Sequence, residues 1–174
     1  MSKRSIVPLV NGRVRLRLLE ESDLPVTLAW RNQDHIRKWF FSSDLISPEQ
    51  HRAWFEQYKD RDDDFVFVIE ETETLKRPVG QVSLYHIDWA VGRAEFGRLM
   101  IGDGDAQGLG LAKLATASLV DEALTSSGLR AVYLECLASN LRSLAMYDAC
   151  GFRQVVKSGE IVSMTSTGFT VSRP

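Results

Sequence analysis

Cysteine, histidine and proline are scarce in this chain, and charge of one sign is missing. Cys136 and Cys150 are the two cysteines, too few for a disulfide scaffold, and both sit in apolar context. They read as two free thiols in a core. His35, His51 and His86 are the three histidines, and none has ligand spacing with those cysteines. No metal site is expected. Lysine and arginine number 21 against 23 aspartates and glutamates, a formal net charge of −2. That balance gives no electrostatic reason to expect nucleic acid as a partner. No apolar run reaches the ~18 residues of a membrane helix. The basic residues near Met1 are not followed by the apolar stretch of a signal peptide. These absences predict a cytoplasmic protein with no membrane span.

Apolar residues make up 44% of the chain and charged residues 25%, ordinary values for a globular protein. The length suits one domain, 1–174, with a substantial core, and no repeat, linker or low-complexity segment interrupts it. Val14 to Leu18 alternates apolar and basic residues, the pattern of a half-buried strand. Ser22 or Asp23 is a suitable cap for a helix through about Trp30. Ser47, Pro48 and Gln50 form the clearest helix start, and the helix that follows carries Trp54, Phe55 and Tyr58. The charged run Lys59 to Asp64 reads as a solvated turn.

Phe65 to Ile69 is uninterrupted and β-prone, as in a central strand. Strands are also expected over Val79 to Ile87, with the first two joined as an antiparallel hairpin, and over Glu95 to Ile101. Leu109 to about Leu124 has helical periodicity and stops at Ser127-Gly128. A strand over Ala131 to Leu137, a short helix from Asn140 to Cys150, and two β-prone pieces between Phe152 and Val171 complete the chain. The order predicts an α+β or α/β domain around a mainly antiparallel sheet.

The segment Gln107-Gly108-Leu109-Gly110-Leu111-Ala112 lies between a strand and a long helix. Glycines there leave backbone N–H groups bare, and the helix dipole adds partial positive charge, so the segment can hold an anion. A tight turn is the plainer alternative. A P-loop needs Lys-Ser/Thr after the second glycine, and Leu111-Ala112 stands there. A dinucleotide fingerprint needs a βαβ unit, whereas the preceding strands come as a hairpin block.

The pattern Gln-x-x-Gly-x-Gly/Ala, met by Gln107, Gly110 and Ala112, resembles the pyrophosphate loop of the GNAT superfamily of acetyl-CoA-dependent N-acetyltransferases. Leu134 to Asn140, followed by Ser143, Tyr147 and Cys150-Gly151-Phe152, resembles that family's later strand–helix motif. Trp30-Arg31-Asn32, Ile36 to Phe40, Ile46-Ser47, His51 and Trp54-Phe55 are similar to the N-terminal part of one subgroup. That subgroup contains the enzyme that acetylates the 4-amino group of a UDP-linked sugar in pseudaminic acid synthesis. Relatives that share parts of the pattern include ribosomal-protein N-terminal acetyltransferases and antibiotic-modifying enzymes.

The resemblance implies a GNAT fold, a sheet splayed into a V, and acetyl-CoA as co-substrate. Pantetheine would pair with the edge of the strand ending Leu99-Met100-Ile101, and pyrophosphate would sit on N–H groups from Gly108 to Ala112. Tyr147 would protonate the leaving thiolate, with a core tyrosine as the plainer alternative. Asn140 and Ser143 would contact the cofactor, or simply cap a helix. Glu95 is the favoured base and His86 the other candidate, each with a structural alternative. Trp30, Arg31, Asn32, Arg37 and Trp39 would wall the acceptor site, or place tryptophans in the core and arginines on its rim. A basic and aromatic wall suits a UDP-amino sugar. N-terminal peptides, small amines and antibiotics are the other acceptors, and a non-catalytic CoA-binding domain is the rival of another class. A monomer or homodimer is expected.

Overall fold

The computed structural model describes residues 3–167. β1 (Leu9–Asn11) and β2 (Val14–Leu18) form a hairpin at Gly12, and a 3-10 turn at Glu21–Asp23 leads into α1 (Leu24–Arg31). α2 (Asp34–Arg37) and α3 (Pro48–Tyr58) follow, then β3 (Asp64–Glu71), β4 (Arg77–Asp88) and β5 (Arg93–Ile101). α4 (Leu111–Thr125) crosses to β6 (Ala131–Leu137), and α5 (Leu141–Ala149) precedes β7 (Arg153–Ser158) and β8 (Ile161–Ser166). All eight strands join one sheet in the order β1-β2-β3-β4-β5-β6-β8-β7. Every neighbouring pair is antiparallel except β5 and β6. That pair is parallel because α4 carries the chain back across the sheet.

The apolar run of β3 is explained by cover on both faces. Phe65, Phe67 and Ile69 point to the side packed by Leu111, Ala115, Leu119 and Ala123 of α4. Those four recur every fourth residue, one stripe of a helix. Val66 and Val68 point the other way, against Leu24 of α1 and Phe55 and Tyr58 of α3. α3 starts as expected: Ser47 Oγ accepts from Gln50 N at 3.2 Å, and Gln50 Oε1 accepts from Ser47 N at 2.8 Å. At the far edge β7 has all six residues exposed.

Two expectations change, and two elements are new. α4 begins at Leu111 and not Leu109, because Gly108 and Gly110 take φ of +74° and +75°, which a right-handed helix cannot include. The charged turn stops short of Asp64, which opens β3 and is 1% exposed. β1 and α2 were not anticipated, being three and four residues long and without visible periodicity. Of the tail's β-prone pieces, β7 and β8 are present, and the part beyond residue 167 lies outside the described residues.

Candidate active site

β5 and β6 pair only at Arg93↔Ala131, Ala94↔Val132 and Glu95↔Tyr133. Beyond Glu95 they part, and the sheet opens into a V. A bulge accompanies the parting: β5 spans Gly97 to Met100 where β4 spans only Ser83 to Gln81. Arg98 absorbs the extra residue at φ +51°, an unusual conformation for a non-glycine residue. Its guanidinium turns back to hold the buried Asp64 carboxylate through two hydrogen bonds, 2.7 and 3.2 Å.

A cleft of about 410 Å³ occupies the V. Leu99, Met100 and Ile101 line one arm, and Glu135 and Cys136 line the other. The glycine loop closes one end. Gln107 Nε2 donates to the Ile101 carbonyl at 2.6 Å and so folds the loop against the end of β5. At both Gly108 and Gly110 a Cβ would meet open space, so glycine is required there by backbone conformation and not by crowding. The first N–H of α4 to find a carbonyl is that of Leu114, on Gly110 at 3.2 Å. The N–H groups before it are the uncapped donors of a helix start, where an anion binds. Gln107, Gly108, Gly110, Leu111 and Ala112 all border the cleft. Leu109 does not: its side chain faces outward, and its carbonyl accepts from Arg13.

α5 supplies the floor. Asn140 caps it, its Oδ1 accepting from Ser143 N at 3.3 Å, and both residues border the cleft. Tyr147, 8% exposed, is held edge-on by Phe96 and Phe152, with ring centroids 5.9 Å away in each case. Tyr147 borders the same cleft. Burial above all, with Cys136 and Cys150 adding to it, pushes its pKa well above the usual tyrosine range. The group is therefore a proton donor at neutral pH. Cys136, beside it on β6, has its thiol pushed up to about 11 by burial.

Glu95 and His86 stand on the opposite side of β5 from Tyr147, and neither borders the cleft. Tyr85 does border it, and its hydroxyl donates to Glu95 Oε1 at 2.7 Å. His86 Nδ1 lies 2.9 Å from Glu95 Oε2. Sequence reasoning named both titratable partners and missed the tyrosine between Glu95 and the cleft. The pair Tyr85-His86 at a strand end was the available signal.

The expected acceptor wall is largely redistributed. Trp30 is 5% exposed and packs in a small cluster with Ile36 and Met100, its indole lying where a Cβ on Gly102 would have to go. Asn32 clamps the loop before α3, donating to the Ile46 carbonyl at 2.8 Å and accepting from Ile46 N at 3.0 Å. Arg31 donates to the Ser42 carbonyl at 2.6 Å and lies over the Phe40 ring, while Arg37 donates to the Ser43 carbonyl and Asp34. None of Trp30, Arg31, Asn32 and Arg37 borders the cleft. Trp39 does, and the structure adds His35, Phe40 and Phe41, from a segment whose short α2 gave no periodic signal.

The model of the acetyltransferase (GNAT) domain matches residues 13–153. The chain belongs to this family. It is thus an N-acetyltransferase with acetyl-CoA as co-substrate, and the bare N–H groups of the glycine loop and the free edge of β5 suit that molecule. Spermidine N(1)-acetyltransferase of Vibrio cholerae is 26% identical over 153 residues, 88% of this chain and 84% of that enzyme. An uncharacterised protein of Methanocaldococcus jannaschii is 24% identical over 151 residues, 86% of this chain but only 30% of its own length. Among solved structures, the Vibrio cholerae spermidine N-acetyltransferase in complex with CoA and spermine superposes with a TM-score of 0.80 at 23% identity, covering 90% of this chain and 96% of that one. A domain from Methanocaldococcus jannaschii gives 0.77 at 22%, covering 90% and 99%. The relative with a named substrate is thus a spermidine enzyme, and the expected kinship with the amino-sugar subgroup is corrected by it. Among the described residues no helix is long and apolar enough to cross a membrane, and no group of three or more potential ligands could hold a metal.

Proposed function

We propose that the chain acetylates a primary amine on a small aliphatic amine of the polyamine class, by direct attack on acetyl-CoA. One observation carries the choice of acceptor: Arg31 and Arg37, which would have held a nucleotide diphosphate, are turned onto the Ser42 and Ser43 carbonyls, away from the cleft. The mouth that remains is aromatic, with Trp39, Phe40 and Phe41, and has Glu135 on its β6 wall; of the arginines lining the cleft, Arg98 is neutralised by Asp64, and Arg142 stands on α5 between Asn140 and Ser143 at the cofactor end. Rings and a carboxylate favour an alkylammonium over a diphosphate. The likeness to a spermidine acetyltransferase supports the same reading.

In this reading the acceptor nitrogen enters between the aromatic mouth and Tyr85, while the thioester lies along Leu99 to Ile101. Free N–H groups on the splayed arm of β5 would polarise the carbonyl. Glycine-loop N–H groups, with Asn140 and Ser143, would fix the rest of the cofactor. Nitrogen attacks the carbonyl carbon, the C–S bond breaks, and Tyr147 gives its proton to the sulfur.

An acceptor screen with acetyl-CoA and thiol detection tests this, using spermidine, spermine, a UDP-4-amino sugar, N-terminal peptides and an aminoglycoside. Thiol release is expected with the polyamines. Release with the UDP-sugar or the peptides alone would overturn the acceptor assignment.

A further inference from the structure

The carboxylate of Glu95 has the Tyr85 hydroxyl 2.7 Å from Oε1 and His86 Nδ1 2.9 Å from Oε2, partners on adjacent residues of one strand. Consecutive side chains on a regular strand point to opposite faces, so Tyr85 and His86 should not share a partner. They do so because β4 is irregular here: it uses Tyr85 to Asp88 against only Glu95 to Arg93 of β5. His86 takes φ +49° in the bulge, and its side chain swings to the side of Tyr85. A non-glycine residue held in this region marks a local cost that surrounding contacts maintain.

From this geometry we infer that Tyr85, Glu95 and His86 form a proton relay, in which Tyr85 is the catalytic group that takes the proton from the acceptor ammonium. The inference rests on the acetyl-transfer reading above. Tyr85 is the member that borders the cleft. Its hydroxyl accepts a proton from the nitrogen as its own proton passes to Glu95 Oε1, 2.7 Å away. Glu95, now a carboxylic acid with His86 Nδ1 2.9 Å from its Oε2, loses that proton to water on the side of the exposed imidazole and returns to the carboxylate. The neutral amine then attacks. The second nitrogen proton, lost as the amide forms, balances the one Tyr147 gives to the thiolate, so one proton reaches solvent per turnover.

The surroundings suit such a conduit. Gly97 beside Tyr85 has no room for a side chain, since a Cβ would stand 2.8 Å from the tyrosine hydroxyl. Arg98 covers the Tyr85 ring at 4.2 Å while neutralised by Asp64. The charge of Tyr133 on β6, whose ring Arg93 covers, acts weakly on Tyr85, and Asp63, just before β3 and paired with Arg61, feels the charge of His86. Burial first, then Glu95, raises the Tyr85 pKa above its usual range. The phenol accordingly stays neutral and hands protons on without ionising.

Tyr85→Phe removes the hydroxyl and keeps the ring under Arg98. The relay predicts an unchanged melting temperature, an unchanged KM for acetyl-CoA, and a loss of about 10²-fold in kcat/KM for spermidine at pH 7. That loss should be recovered as pH approaches the pKa of the free amine, because a deprotonated acceptor needs no relay. Glu95→Gln should behave alike, and the double variant should be no worse than either single one. A Tyr85→Phe profile that follows wild type, or a loss equal at every pH, would overturn the relay. Wild-type protein that releases no thiol with any amine would instead defeat the acetyl-transfer reading, and the relay with it.

Discussion

Arg98 and Asp64 are joined by two hydrogen bonds across the sheet, from the bulge in β5 to the first residue of β3, with the carboxylate 1% exposed. The pair holds Arg98 in its left-handed conformation, and with it the bend that opens the V. Asp64→Asn leaves the half-buried Arg98 guanidinium without its counter-charge, and about 3 kcal/mol of stability should be lost. Urea denaturation measures this. Acetyl-CoA affinity should fall as well, since the splayed arm of β5 is no longer pinned.

Gly110 sits at φ +75° with open space around it. Gly110→Ala therefore meets no steric neighbour and strains only the backbone, by about 1 kcal/mol. The expected result is a higher KM for acetyl-CoA with the amine KM unchanged, read from steady-state rates. Equal changes in both constants would show that the loop does not act on the cofactor alone.

Tyr147→Phe should lower kcat by about 10²-fold and leave the acetyl-CoA KM unchanged. The pH dependence has a definite sign. An acid with a raised pKa is lost only as pH climbs through that raised value. Wild-type kcat should therefore show no downturn from this group between pH 7 and about 10, the usual tyrosine pKa.

Cys136 gives an independent probe of the cleft. Its thiol, raised from 9.0 to about 11, is nearly all protonated at pH 8. Iodoacetamide should label it slowly in the native protein and faster as pH approaches 11, and saturating acetyl-CoA should protect it. The same shift contributes stability that is complete below pH 9 and disappears as pH rises through 11, because the folded state prefers the neutral thiol.

The two tryptophans near the acceptor end should separate cleanly. Trp39→Ala removes an exposed ring from the mouth and should raise the amine KM, with stability changed by less than about 0.5 kcal/mol. Trp30→Ala opens a cavity beside Gly102 and should cost about 3–5 kcal/mol.

What could be read from the chain alone follows from how local each signal is. Ser47, Pro48 and Gln50 announce α3 because a capping box is complete within four residues. Phe65 to Ile69 announces a doubly covered strand because both faces write the same apolar letter. The glycine loop and Tyr147 belong to spaced motifs, and their place beside the cleft was recoverable for that reason. Asp64 looked solvated because its neutralising partner, Arg98, is distant in sequence and adopts a backbone conformation that no propensity foretells. Trp30 and Arg31 looked like a binding wall because residue type shows what a side chain can do, not which way it points. The role of Tyr85 was hidden for a similar reason, since it depends on a bulge at His86 that breaks strand alternation.

The Arg13 guanidinium on the Leu109 carbonyl joins the turn of the first hairpin to the middle of the glycine loop. Occupancy of that loop and order in the hairpin are then coupled quantities, each raising the other by the same factor. Amide hydrogen exchange around Asn11 to Val14 should slow when the cofactor binds, although that segment borders no part of the cleft. The opening residues of the chain would in this way serve as a remote gauge of whether the enzyme is loaded.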